Sequence, residues 1–130
     1  MSERVDKAVQ NYRNHYNCAQ AVFCAYCDLV GLDETTAFRL SEGFGAGMGI
    51  KATCGAVCGA MMILSYLKSD GLLNGGKTKG ATYQEMNKIA EEFSKVYGSV
   101  MCRDIPKDPT IRCEDKVRVA AEILEKLIAK

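Results

Sequence analysis

The stretch Thr53 to Leu67, TCGAVCGAMMILSYL, constrains this chain more than any other. It is the longest apolar run, it carries two of the seven cysteines, and two of its residues are glycines four apart. Nothing in it needs to face water before Ser65, so it reads as a buried central helix. Thr53 is placed to cap its start through a hydroxyl that accepts from first-turn N–H groups. The run is shorter and more interrupted than the ~20 consecutive apolar residues a bilayer crossing needs.

A helix that starts after Thr53 puts Cys54 in its first turn, where unpaired N–H groups and the macrodipole favour thiolate over thiol. Cys54 is therefore the expected reactive or ligating sulfur. Cys58 follows one turn later on the same face. Gly55 and Gly59 remove side chains from a neighbouring stripe and admit another backbone, a packing role that needs no chemistry.

With 130 residues the chain suffices for a single domain, residues 1–130, that buries a sizeable core. A net charge of +1 gives no global field to draw nucleic acid or an anionic membrane surface. The opening segment MSERVDKAVQ has no apolar h-region, which sets the expectation of a cytoplasmic protein. In a reducing cytosol, seven cysteines point to metal ligation, redox chemistry or burial as small apolar side chains, and the odd count excludes complete internal pairing. The absence of Trp and the presence of only two prolines suit helices better than a β-sandwich.

Val5, Ala8, Val9, Tyr12 and Tyr16 recur at helical spacing and predict an amphipathic helix over residues 3–16. Asn17 offers a cap for a second helix, CAQAVFCAYCDLV, running to Gly31 and placing Cys18 at a helix start. His15, three residues earlier, reads either as an orienting or ligating group or as a half-exposed junction residue. Cys24 and Cys27 spell C-x-x-C, but within a helix. Side chains three apart there hold their Cβ atoms about 5–6 Å apart, beyond the ~3.5–4.5 Å a disulfide prefers, so core packing is their expected use.

Asp33 caps a third, shorter helix through ETTAFRLSEG. In the GFGAGMG that follows, Gly43, Gly45, Gly47 and Gly49 alternate. This is a flexible turn able to approach the sulfur site or another helix, without the G-x-G-x-x-G spacing of a dinucleotide loop. Gly71 to Thr78, GLLNGGKT, literally satisfies the phosphate-loop pattern G-x-x-x-x-G-K-[ST]. No strand leads into it, however, and no alternation of strands and helices surrounds it, so it reads as a turn between helices.

From Thr82, the stripe Tyr83, Met86, Ala90, Phe93, Tyr97 and Val100 predicts a long helix ending near Cys102. The Cys102 thiol then faces the unfavourable end of the dipole, with Arg103 in partial compensation. Pro106 and Pro109 mark a connection, and Cys113 stands at or just before a last helix, EDKVRVAAEILEKLIAK. Its Val117, Ala120, Leu124, Leu127 and Ile128 face inward. The fold class is all-α: one bundle of about five or six helices around the cysteine- and glycine-bearing helix. Helix ends gather at two faces of such a bundle, so Cys18, Cys54, Cys102 and Cys113 are able to converge.

Cys18 within NCAQAV, the run Cys54-Gly55-Ala56-Val57-Cys58-Gly59, Cys102 within MCRDI, and Cys113 together resemble a known family. It is the redox-active protein family named for a Cys, Gly-Cys-Ala-x-x-Gly, Cys, Cys signature. The glycine-rich FGAGMG and the Cys-Arg dipeptide also look like family features, and the resemblance spans nearly the whole chain. This sequence reads Cys-Gly-Ala where the signature has Gly-Cys-Ala, and Cys24, Cys27 and Cys58 are additional.

The resemblance implies a small helical redox protein of the prokaryotic cytosol whose four signature cysteines form one site. Two forms of that site stay open. In one, it cycles between dithiol and disulfide, with Cys54 as attacking thiolate and Cys18 or another partner resolving. In the other, Cys18, Cys54, Cys102 and Cys113 hold zinc, another metal or an iron–sulfur cluster. A contrasting reading is a helical interaction module whose cysteines are inert core fillers. The redox partner and substrate are left open, and a homo-oligomer is compatible with the sequence.

Overall fold

The computed structural model describes residues 2–73 and 75–129 of the chain. Among them it forms six α-helices and no strand beyond an isolated bridge. Helix α1 (Glu3–Arg13) starts at Ser2, whose Oγ accepts the Val5 N–H at 3.1 Å, and it buries Val5, Ala8 and Val9. The expected continuation to Tyr16 does not occur. His15 takes φ 72°, a left-handed conformation that turns the chain out of the helix. Tyr16 then packs edge-on against Phe38.

Helix α2 (Cys18–Ala25) begins with a reciprocal cap: Asn17 Oδ1 accepts the Gln20 N–H and Gln20 Oε1 accepts the Asn17 N–H, both at 2.9 Å. The single helix expected through Val30 is broken at Tyr26, which is fully buried and donates its hydroxyl to the Ala121 carbonyl at 3.3 Å and to Glu125 at 3.2 Å. A short turn, Cys27–Val30, completes the segment before left-handed Gly31. Cys24 and Cys27 are therefore separated by a helix end, and both are buried in the core. Helix α3 (Glu34–Ser41) starts as expected at Asp33, whose carboxylate accepts the Thr36 N–H at 3.1 Å.

Helix α4 (Gly55–Lys68) is the central element and packs against α2 and against the two later helices, α5 (Lys79–Tyr97) and α6 (Cys113–Ile128). Its cap position is filled by Cys54, not by Thr53. Thr53 is instead drawn into an antiparallel bridge with Met101, where the Cys54 N–H donates to the Val100 carbonyl at 2.7 Å and the Cys102 N–H to the Ala52 carbonyl at 2.6 Å. That bridge also explains why α5 (Lys79–Tyr97) stops at left-handed Gly98, short of the expected end near Cys102. Residues 100–102 are needed extended alongside residues 52–54. The buried face of α5 runs through Thr82, Ile89 and Phe93, and Tyr83, expected on it, is exposed.

Helix α6 (Cys113–Ile128) buries Val117, Ala120, Leu124 and Leu127 as its periodicity predicts, and Ile128 is half-buried. The stretch GLLNGGKT is a connection between α4 and α5 turned at left-handed Gly71 and Gly75, with its Asn74 outside the described residues. Among the described residues no helix is long and apolar enough to cross a membrane.

The crossing of α2 over α4 depends on two missing side chains. A Cβ on Gly59 would lie 2.8 Å from the Ala19 carbonyl oxygen and 3.2 Å from the Phe23 nitrogen, and one on Gly55 would lie 2.5 Å from Cys18 Sγ and 2.7 Å from the Phe44 carbonyl oxygen. Gly80 of α5, by contrast, faces open space. Gly59→Ala should force the two helices apart and lower stability by about 1–3 kcal/mol. Gly80→Ala should raise it by about 0.5–1 kcal/mol through reduced backbone entropy. Urea midpoints should therefore order as Gly80→Ala above the parent and the parent above Gly59→Ala.

Candidate functional site

Three backbone devices deliver four thiols to one place. The reciprocal cap at Asn17 fixes Cys18 as the first residue of α2, and the bridge between residues 52–54 and 100–102 fixes Cys54 at the cap of α4. The same bridge sets Cys102 at the head of a short turn, Cys102–Asp104, rather than at a helix C-terminus as expected. Cys113 is the first residue of α6. All four line a single cavity of about 670 Å³. Cys113 is exposed, Cys18 and Cys102 are half-buried, and Cys54 is only 4% exposed.

The glycine-rich segment is the cavity's remaining wall, and its glycines are needed for close approach. A Cβ on Gly45 would sit 2.4 Å from the Asn17 side chain, and one on Gly47 would sit 2.7 Å from Cys102 Cβ. The segment ends in a wide turn closed by the Ala52 N–H on the Gly47 carbonyl at 2.8 Å. In that turn Gly47 and Gly49 have positive φ, and so do the non-glycine residues Ala46 (φ 53°), Met48 (φ 63°) and Lys51 (φ 61°). Such conformations are costly for L-residues and persist only where surrounding contacts enforce them.

The electrostatics correct one expectation. Cys54 does stand at a helix start, with the Ala56 and Val57 N–H groups and the Lys116 ammonium favouring its thiolate. Burial outweighs them, aided by charge on Cys18, and pushes the Cys54 thiol up to about 12. A dipole at a helix end is worth on the order of 1 kcal/mol, whereas enclosing a charge in a dry site costs more. Burial also raises Cys18, against a backbone N–H at Ala46 and together with charge on Cys113.

Cys58, one turn beyond Cys54, does not line the cavity. Its Sγ donates to the Thr53 carbonyl at 3.7 Å, and burial followed by charge on Cys18 pushes it up to about 11. Cys18 is thus the sulfur whose charge Cys54, Cys58 and Tyr12 all sense. Cys24 lies away from the cavity in the core, where burial and then Cys27 push it up to about 12.

Among the cavity residues that escaped sequence reading, three bear ionisable groups close to the thiol wall or on it. Tyr12 was legible only as part of a core stripe, yet it lines the cavity, and burial, then the charge and hydrogen bond of Cys113, push its hydroxyl up to about 12. Lys116, one turn after Cys113, and Lys51 complete the wall. The spacing of three between Cys113 and Lys116 was the available signal for the first; nothing marked the second. His15 also lines the cavity. Among the described residues no three His, Cys, Asp or Glu side chains are arranged to hold a metal ion.

A small all-α bundle with a glycine-lined four-cysteine cavity is the class of protein these features define. The model of the family described as "Putative redox-active protein (C_GCAxxG_C_C)" matches residues 16–127, and the chain belongs to that family. The matched region holds all four signature cysteines. No curated protein and no solved structure matches the chain.

The raised Cys54 thiol carries a consequence for stability. An ordinary thiol ionises near 9, so above that pH the unfolded chain loses a proton that folded Cys54 retains up to about 12. The stabilising contribution is complete below pH 9 and declines as pH rises through that window, by at most about 1.4 kcal/mol per pH unit for one thiol. Urea unfolding at pH 8 and pH 10 should show a smaller alkaline loss in Cys54→Ala than in the parent. Equal losses would contradict the assignment.

Proposed function

We propose that this chain is a thiol–disulfide redox protein whose cavity thiols cycle between reduced and disulfide-bonded states. The observation that carries this reading is the convergence of Cys18, Cys54, Cys102 and Cys113, drawn from four separate segments, on one cavity. Membership of a redox-active family supports the same reading at a coarser level.

The roles follow from exposure. Cys113 is the outer nucleophile. It is exposed, and it stands at the first position of a helix whose opening N–H groups have no side-chain cap. Its thiolate attacks one sulfur of a substrate disulfide. That S–S bond breaks, a mixed disulfide forms on Cys113, and the departing thiolate takes up a proton. Cys18 then attacks Cys113 Sγ and releases the second thiolate, leaving a Cys18–Cys113 disulfide. In sum, two protein thiols give two electrons and two protons to the substrate, which leaves as two thiols. Cys54, protonated beside Cys18, is the next partner by further exchange. Its burial is the reason it is not the first attacker.

Oxidising the reduced protein with a substoichiometric disulfide, quenching in acid and mapping peptides without reductant tests these roles. A Cys18–Cys113 bridge is expected. Cys113→Ser should slow oxidation by at least about tenfold, and Cys18→Ser should arrest the reaction at a mixed disulfide on Cys113. If all seven cysteines stay reduced, the chain is an interaction module with inert thiols and the reading is wrong.

A further inference from the structure

The cavity's charge distribution goes beyond what sulfur exchange alone requires. The ionisable side chains on its wall besides the cysteines and tyrosines are Lys51, Lys116 and His15, against one acid, Glu42. Lys116 is half-buried one turn beyond Cys113, and its ammonium is close enough to Cys54 to favour that sulfur's ionised form. Lys51 projects from the end of the glycine-rich wall. Its backbone is held left-handed directly before Ala52, which is tied to both Gly47 and Cys102. Neither lysine enters an ion pair among the described residues.

The acids beside α6's start are already neutralised. Arg13 pairs with Glu114 at 2.8 Å, and Arg112 pairs with Asp115 at 3.1 Å and Glu114 at 3.6 Å. Two ammonium groups outside any of these ion pairs therefore line the thiol cavity, against the single carboxylate of Glu42.

Size and lining narrow the ligand. A volume of about 670 Å³ falls within the ~300–1,000 Å³ usual for small-molecule sites. Tyr12, Tyr16, Phe38 and Ala46 supply apolar wall to the same cavity, suited to short methylene chains.

Resting on the exchange reading above, we propose that the cavity binds a small carboxylate-bearing disulfide and its thiol product. Lys51 and Lys116 pair with the carboxylates, and the S–S bond is presented to Cys113. The atoms and electrons balance as for the general exchange: one disulfide enters, two thiols leave, and Cys18 and Cys113 end joined.

Two measurements test this at low ionic strength. In the first, the reduced protein is alkylated with anionic iodoacetate or neutral iodoacetamide and Cys113 modification is followed by peptide mass. The iodoacetate-to-iodoacetamide rate ratio at Cys113 should exceed its value in urea-unfolded protein by roughly tenfold. It should return to the unfolded value in the Lys51→Met, Lys116→Met double variant, whose helical spectrum verifies the fold.

In the second, the reduced protein is oxidised by 3,3′-dithiodipropionate, a dicarboxylate, or by cystamine, a diamine of similar length. Each rate is normalised to that with the unfolded chain. The dicarboxylate should lead in the parent and lose its lead in the double variant. A normalised cystamine rate equal to or above the dicarboxylate rate, with a flat alkylation ratio, overturns the proposal and leaves the exchange reading standing. Oxidation by neither disulfide overturns both.

Discussion

Everything at the cysteine site depends on two helix backbones touching where side chains would normally hold them apart. Gly55 and Gly59 lie on the stripe of α4 that faces α2, and a methyl group at either would collide with α2's first turns or with Cys18 itself. Because the contact is at the N-terminal ends of both helices, it brings Cys18 and the cap residue Cys54 to one wall. The same device is repeated in the loop before α4, where Gly45 accepts Asn17 and Gly47 accepts Cys102 against its backbone. The signature glycines and the signature cysteines are thus one constraint: the former set the separation at which the latter meet.

That closeness has an electrostatic cost which decides how the thiols divide their roles. A sulfur drawn under a glycine crossing is dry, and a dry thiol keeps its proton even with helix N–H groups aimed at it. Cys54 shows this most clearly, held at the cap of α4 with its thiol pushed up to about 12. Cys113, the first residue of α6, is exposed to solvent. The cavity is consequently graded from an accessible sulfur at its mouth to a protonated one at its floor, with Cys18 between and electrostatically linked to both.

The parts of this arrangement that were legible in the sequence are those set by neighbours along the chain. Asn17 and Asp33 cap helices because a short side chain reaches N–H groups two or three residues on, and Gly31 ends its segment by adopting a left-handed conformation. The inward stripe of α6 is likewise a matter of local period.

What escaped sequence reading is set by distant pairings. The end of α5 and the displacement of Thr53 from its expected cap both follow from one bridge between residues 53 and 101, which no local pattern announces. Tyr26 breaks its helix to reach α6. The protonation of Cys54 is hidden from the sequence for a related reason: the local signal, a helix start, is present, while the burial that overrides it is a property of the assembled bundle. Tyr12, Lys51 and Lys116 join the site only because α1, the glycine loop and α6 close around the same space.

The most direct test of this convergence is to treat the fully reduced, folded protein with one equivalent of a short bis-alkylating reagent and map the bridged peptides, using the urea-unfolded chain as reference. Bridges joining residue 18 to residue 54, 102 or 113 should dominate in the folded protein and vanish in urea. A folded protein bridged only between Cys24 and Cys27, or bridged no differently from the unfolded chain, would contradict the existence of a common thiol cavity.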